Sequence, residues 1–534
     1  MTPPNIKDLL LAPRLDAQQV VSLLGPYGFK EPARADANLQ TLADDAPSRL
    51  SLADILEDLL DNVSQSADPD QSLNYFERFA RATASKIHLF SYLKDSPRTL
   101  EILARTFGGS PYMAEILIRD PHYLYWVTDP QILHSVRKKR EIERELARAL
   151  KTIVDERKRL DYLRILKRRE TLRIGVRDLL RLCSVEETLT DLSNLAETLI
   201  SAAHWICSSA LSGEYGVSRK AFGGFTILAM GKLGGGELNF SSDVDLIYLY
   251  ASDHEKVVEG DAPISASEYF RRLCQKITVA LSEFTGEGYV YRVDLRLRPE
   301  GAAGNIAYSL DGFERYYQSR GETWERLALL KAWPVAGDRA LGRRFLEMAR
   351  PFIYDQPFDL KALEEVRGIK RKIDRRMSTK QQGRGQRGRN VKLGAGGIRE
   401  IELIVQALQV CYGGQTPQIR ERNTMKALGA LRDQSLISAE ECETLSRAYV
   451  FLRDVENKLQ MVNDAQTHSL PIDGQELAAC ARRLGYSDNE LGDAAEQFLR
   501  DYQRRTGHVN RIFEEIFSAS EPSRFPHQLA ERPS

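Results

Sequence analysis

At roughly 150 residues per domain, 534 residues leave room for three or four domains and more than one buried core. Hydrophobic residues at 42% and charged residues at 28% are the values of a folded soluble protein; they exclude a collagen-like repeat, a mostly disordered chain and a membrane protein. Lysine plus arginine (75) balance aspartate plus glutamate (75), so no net field draws the chain to nucleic acid or an anionic membrane, and a charged partner must meet a local patch. The opening MTPPNIKDLLLAPRLD has Pro and Asp where a signal peptide needs a basic start and an apolar run, and no window approaches about 18 uninterrupted apolar residues. Six cysteines, at 183, 207, 274, 411, 442 and 480, form no CxxC pair. The expectation is a cytoplasmic protein with reduced thiols, no disulfide and no zinc cage.

From about 50 to 215 apolar residues recur at spacings of three and four, as in SLADILEDLLDNV and LNYFERFARAT, which predicts helices, the first opening at Ser51. Residues 137–173 mix both charge signs around Leu, Ile and Val and read as a long solvated helix packed by one stripe. The texture changes at Phe225. FTILAM reads as a strand, GKLGGGELNFSSD as a turn-rich connection, DVDLIYLY as a second strand, 267–284 as a helix, and YVYRVDLRLRP as an alternating third strand ending at Pro299. This predicts an α+β chain, mostly helical, with a small mixed sheet inserted. After about 310 helices return, interrupted by a Gly- and Arg-rich stretch at 383–397, and SEPSRFPHQLAERPS reads as a disordered tail. The division expected is a helical region 1–215, a sheet domain 216–310, a helical domain 311–475, and terminal helices and tail 476–534.

Side chains two apart on a strand share a face, so Asp243 and Asp245 project together. Two such carboxylates repel unless a cation sits between them. The pair therefore suits Mg²⁺, although two exposed aspartates at a strand mouth would look the same. The same parity over 289–298 sets Arg292, Asp294, Arg296 and Arg298 on one face, either a salt-bridge ladder or a third ligand with Arg296 and Arg298 as cations for phosphate oxygens. GKLGGGEL lacks both the Walker GxxxxGK[ST] and the Rossmann GxGxxG spacing, but its glycines let backbone approach a phosphate. Lys232, Gly234, Gly235 and Ser242 are the candidate nucleotide or phosphate contacts there. Together these stretches describe a three-carboxylate nucleotidyl-transfer site.

AMGKLGGGELNFSSDVDLIYLY, VYRVDLRLRPEGAAGNIAYSLDGFERYYQSRGETWERLALLKAWPVAGD, NVKLGAGGIREIELIVQALQ and RDVENKLQMVNDAQTHSLP resemble, in that order, glutamine synthetase adenylyltransferase, the bifunctional adenylylating and adenylyl-removing family. The likeness runs from about 71 to about 500. It implies a nucleotidyltransferase domain of the DNA-polymerase-β type, set among helices, acting on one tyrosine of glutamine synthetase with nucleotide and phosphate. By position, Gly234 and Gly235 match the phosphate-loop glycines, Asp243 and Asp245 the metal pair, and Asp294 the third acidic position. Family members usually carry two catalytic halves, whereas GKLGG, SDVD and GGIREIE each occur once here. GGGELNFSSDVDLI, after a helical region with NYFERFARAT, looks more like the N-terminal half, which implies removal of AMP by phosphorolysis, with blunted regulation. The rivals are ATP-dependent adenylylation and a regulatory module without turnover that senses a PII-type nitrogen-signalling protein or glutamine.

Two accessory segments stand out. Between Arg367 and Lys392 eleven Lys or Arg face Asp374 alone, which reads either as a mobile solvated loop or as a docking patch for an anion or partner; no aromatic residues interleave it, against nucleic acid. In GGIREIELIVQALQ, residues Ile398, Ile401, Val405 and Leu408 form a helical core stripe with Glu400 and Glu402 elsewhere on the helix, and the resemblance places this segment against the active site.

Overall fold

The computed structural model describes residues 5–12, 15–216, 224–253, 264–356, 358, 361–368, 370–372 and 389–517. Most of the basic segment 367–392, namely 369 and 373–388, and the terminal tail from 518 therefore lie outside the described residues. The chain forms two compact units, one from 1–136, 168–188 and 457–501, the other from 137–167, 189–456 and 502–534. Both carry helices, and the sheet belongs to the second.

In the first unit the helix Pro69–Ala82 packs on Pro97–Gly109, with Phe79 against Phe107 at a centroid distance of 5.6 Å. The expected helices from 50 onward are present, but the first of them begins earlier than Ser51. Asp45 caps it by accepting the Ser48 N–H at 2.7 Å, and Pro47 fits the first turn, so the helix is Ala46–Ser64. The segment read as one solvated helix is two, Lys139–Thr152 and Glu156–Leu179. The second is not solvated: Glu170, Arg173 and Arg177 are buried, and Arg173 Nε donates to Glu170 Oε2 at 2.9 Å. Charges read from sequence as a wet face are here buried against one another, a contact that periodicity does not encode.

The sheet is built on two long buried strands, β1 (Phe225–Ala229) and β2 (Val244–Tyr250), paired antiparallel from Phe225↔Tyr250 to Ala229↔Leu246. Both are apolar runs without alternation, as strands covered on both faces must be. The edge beside β2 is one strand broken in two. β3 (Val293–Asp294) pairs parallel with Val244–Asp245, the chain leaves over 295–306, and β4 (Ala307–Ser309) resumes parallel pairing at Tyr248–Tyr250. β5 (Trp333–Gly337) closes the other side of β1, antiparallel. It lies in a stretch read as helical and beyond the 216–310 range, so the sheet draws on more chain than expected. The helix Ala266–Ser282 covers one face, with Phe270 stacked on Phe225 (5.4 Å) and Tyr250 (5.2 Å). The architecture is α+β, mostly helical with a small mixed sheet, as the sequence led one to expect.

The strict alternation read over 289–298 does not become a long strand. Val290 and Tyr291 are both buried, their N–H groups donating to the Leu281 carbonyl at the end of the covering helix. Beyond Asp294 its own carboxylate accepts the Arg296 N–H at 2.8 Å, a side-chain turn that ends the pairing. All six cysteines are free thiols. Among the described residues no helix is long and apolar enough to cross a membrane.

Candidate active site

β1 and β2 end side by side, and the Met230 N–H donates to the Asp245 carbonyl at 2.9 Å, which brings the Gly231–Gly235 turn of helix over the first residues of β2. Gly231 has φ +54°, and a Cβ there would stand 2.5 Å from Asp245 Oδ2. The backbone thus curls around a carboxylate and leaves it a cradle that any side chain would fill. Gly234, read as a phosphate-loop glycine, meets a different demand. A Cβ at that position would lie 1.9 Å from the Lys331 carbonyl oxygen, so its smallness seats the turn against the chain leading into β5. A Cβ on Gly235 would come within 2.8 Å of Glu237 Oε2.

Register sets the acidic cluster: Asp245 and Asp294 are Cα partners across β2 and β3, and Asp243 lies two residues before Asp245, just ahead of β2. Burial, with the charges of Asp294 and Asp243 adding to it against Lys392 and Lys232, pushes Asp245 up to about 6. The other two carboxylates hold arginines. Arg292 Nε donates to Asp243 Oδ1 at 2.6 Å, and Arg296 donates to both oxygens of Asp294 at 2.5–3.0 Å. The Arg296 hydrogen bonds hold Asp294 below the usual carboxylate range.

Arg298, expected beside the carboxylates as a phosphate cation, turns instead to its own loop. Its guanidinium donates to the carbonyls of Leu295 (2.7 Å), Asn305 (2.9 Å), Gly304 (3.0 Å) and Ala302 (3.2 Å), staking down the excursion between β3 and β4. Replacing Arg298 with Ala should therefore lower stability by about 1–2 kcal/mol, the worth of hydrogen bonds from a charged group to exposed and half-buried carbonyls. Its effect on turnover should follow from loop disorder and be recovered at lower temperature; a denaturation curve and an activity profile on one variant check both. Ser242 is buried and receives the Asn239 N–H at 3.2 Å, bracing the turn before the strand.

Lys232 donates to the fully buried Glu456 at 2.7 Å. Burial pushes this lysine down to about 7, with Arg453 and Lys392 adding to the effect and Glu456 opposing it. Behind the turn lies a buried charge network. Lys331 Nζ meets Glu237 Oε2 (2.8 Å), Thr424 Oγ1 (3.1 Å) and Glu402 Oε1 (3.2 Å), while Thr424 N–H donates to Glu237 Oε1 at 2.6 Å. Arg453 donates to Asn239 Oδ1 at 2.7 Å and lies 3.4 Å from Glu456. The stripe Ile398, Ile401, Val405 and Leu408 is buried as expected, but Glu400 and Glu402 are buried too. Glu400 accepts from Lys370 at 2.9 Å and from the Gly396 N–H at 2.9 Å, so both glutamates serve as buried anchors for the helix Ile398–Tyr412.

Sequence reading assigned no site role to Gly231, Glu456 or Lys331, and left Arg292 on a polar face and Lys392 in the basic segment without a specific partner. Gly231 and Arg292 carried a signal, one a glycine directly after a strand, the other on the polar face already assigned. Glu456 lies in RDVENKLQMVNDAQTHSLP, one of the stretches that carry the resemblance, but no spacing joins it to Lys232.

The cluster also bears on a divalent cation. Among the described residues no three carboxylates or imidazoles stand together as a ready-made ligand set. Yet the donor chemistry fits one: a buried carboxylate raised by its burial and by the charges of two neighbouring carboxylates, with a glycine at 231 whose missing Cβ leaves room for Asp245 Oδ2.

Residues 100–348 match the family model for glutamate-ammonia ligase adenylyltransferase, and residues 367–517 match that for GlnD PII-uridylyltransferase. Among curated proteins the chain is similar to the bifunctional glutamine synthetase adenylyltransferase/adenylyl-removing enzyme of Thioalkalivibrio sulfidiphilus, 39% identical over 78% of this chain and 42% of that one. The enzymes of the same name from Rhizobium meliloti (35%, over 85% and 46%) and Xanthomonas campestris (44%, over 59% and 33%) are similar as well. The chain spans less than half the length of these relatives. On this extent of sequence the chain is similar, through residues 100–348, to the glutamate-ammonia ligase adenylyltransferase family.

Proposed function

We propose that the chain is a cytoplasmic nucleotidyltransferase that removes AMP from an adenylylated tyrosine of glutamine synthetase by Mg²⁺-dependent phosphorolysis, phosphate and adenylyl-tyrosine giving ADP and tyrosine. The observation that carries the reading is the pairing of Asp245 with Asp294 across β2 and β3, with Asp243 just ahead of β2 and a glycine turn shaped around Asp245. A carboxylate on one strand, a second just ahead of it and a third on the neighbouring strand, in a small mixed sheet, also support the DNA-polymerase-β type of fold. The relatives' names supply the substrate class, and the wording GGGELNFSSDVDLI supports the removing half.

Asp243, Asp245 and Asp294 would hold the Mg²⁺, which when bound would neutralise charge on the phosphates. An oxygen of inorganic phosphate bonds to the α-phosphorus as the bond from phosphorus to the tyrosyl oxygen breaks. The electron pair leaves on that oxygen, which takes a proton from solvent to give tyrosine, and the nucleotide departs as ADP. Inorganic phosphate is already an anion near pH 7, so no strong base is needed. The chain's task is orientation and charge: the Gly231 turn leaves room for the Asp245 carboxylate, and the exposed Arg296 is a cation for phosphate oxygens. The match of 367–517 to a PII-uridylyltransferase model supports a PII-type signalling protein as a regulatory partner.

The relatives' names carry both activities, which favours transfer of AMP from ATP to tyrosine as the second reading. A two-direction assay separates them. Adenylylated glutamine synthetase with phosphate and Mg²⁺ should release ADP, and no ADP without phosphate. Unmodified glutamine synthetase with labelled ATP should gain negligible label; efficient labelling without phosphate-dependent removal would reverse the assignment.

A further inference from the structure

We infer that the two arginines of the acidic cluster have opposite functions: Arg292 is a fixed clamp that orients Asp243 toward a divalent cation, and Arg296 is a resident cation on Asp294 that the incoming ion displaces. The inference rests on the reading that these carboxylates hold a metal.

Arg292 is held from several directions. While Nε donates to Asp243 Oδ1 at 2.6 Å, Nη1 donates to the Tyr289 hydroxyl at 2.7 Å and Nη2 to the Ser241 carbonyl at 2.8 Å. Its guanidinium also lies 5.7 Å from the Tyr289 ring centroid, and that ring is flanked by Lys167 Nζ at 4.6 Å and Phe284 at 6.3 Å. Losing Asp243 would leave the other contacts intact, so Arg292 has no route by which to swing away. It engages one carboxylate oxygen, Oδ1, which fixes the carboxylate plane as outer-sphere partners of metal ligands do.

Arg296 differs in each respect. All its hydrogen bonds go to Asp294, two residues away, where Nε and Nη2 cover both oxygens, and its side chain is 77% exposed. Asp294 cannot serve as a ligand while so covered. Asp294 is only 15% exposed, but the guanidinium on it stands in solvent, where salt screens the pair and from where a divalent ion can replace it. The freed guanidinium stays tethered at the cluster, where its planar fork suits the oxygens of a phosphate.

The two assignments predict shifts of opposite sign in metal affinity, independent of turnover. With Mn²⁺ as the probe, titrated into the purified chain and followed by the loss of the free-ion paramagnetic resonance signal, Arg296→Gln should bind about two- to fivefold more tightly than the parent. Arg292→Gln should bind about tenfold more weakly, the usual cost of removing a partner that orients a ligand. Should that variant not fold, Tyr289→Phe keeps the ring, removes the hydroxyl that steadies Arg292, and should weaken binding in the same direction. Shifts of the same sign for both arginine variants, or no shift for Arg296→Gln, would overturn the division while leaving the metal reading standing. A parent chain that takes up no Mn²⁺ would overturn the metal reading itself.

Discussion

Asp245→Asn should abolish turnover and at the same time stabilise the protein at neutral pH. The loss of activity follows from removing the buried carboxylate at the centre of the cluster, worth several kcal/mol of barrier and about 10³-fold in rate. The gain in stability follows from linkage. Asp245 is raised from an ordinary carboxylate value to about 6 in the folded state, so the fold binds its proton more tightly than the unfolded chain does. The stability it contributes is present below about pH 4 and disappears as pH rises through 6. At pH 8 the parent therefore carries a penalty of up to about 3 kcal/mol that asparagine does not. Melting curves at pH 4, 6 and 8 should show the variant above the parent at pH 8, with the gap closing toward pH 4. Mg²⁺ should raise the melting temperature of the parent and leave that of the variant unchanged. A variant that is active, or equally stable at every pH, would place the charge burden elsewhere.

Lys331→Met should cost about 3–5 kcal/mol, because it leaves Glu237 and Glu402 buried without the cation they share. Burial works against the Lys331 charge, yet Glu237 and Glu402 hold its pKa well above the usual value. Burial alone would raise Glu402, but Lys331, Arg399, Lys392 and Arg453 hold it at about 2. A carboxylate depressed in this way contributes stability above its unfolded value near 4.5, lost as pH falls toward 2. Without Lys331 most of that contribution goes, so the gap between parent and variant should be widest near pH 7 and narrow as pH drops below 4. Urea midpoints across that range would show it. A uniform gap would mean that the methionine leaves a packing defect rather than two unpaired carboxylates.

The site shows how far the residues alone carry the argument. Asp243 and Asp245 were legible because a period of two on an apolar run fixes which side chains share a face, whatever the run packs against. Asp294 was legible as an acid on a neighbouring strand, and parallel pairing places it opposite Asp245. The company these acids keep was not legible. Strict alternation over 289–298 made Arg296 and Arg298 equivalent, whereas the Asp294 side chain turns the backbone and sends one arginine to a carboxylate and the other to loop carbonyls.

The sequence by itself determined the alternation of apolar runs and turns that makes β1 and β2, the helical remainder, and the acidic pair, because these depend on contacts within a few residues. Tertiary structure alone decided that β5 completes the sheet, that Gly231 rather than Gly234 makes room beside Asp245, and that Glu456 and Lys331 hold the turn from behind. Each of these is a meeting of residues far apart in the chain. Whether a buried charge finds its partner is settled by three-dimensional packing and the desolvation that comes with it, which no local spacing records.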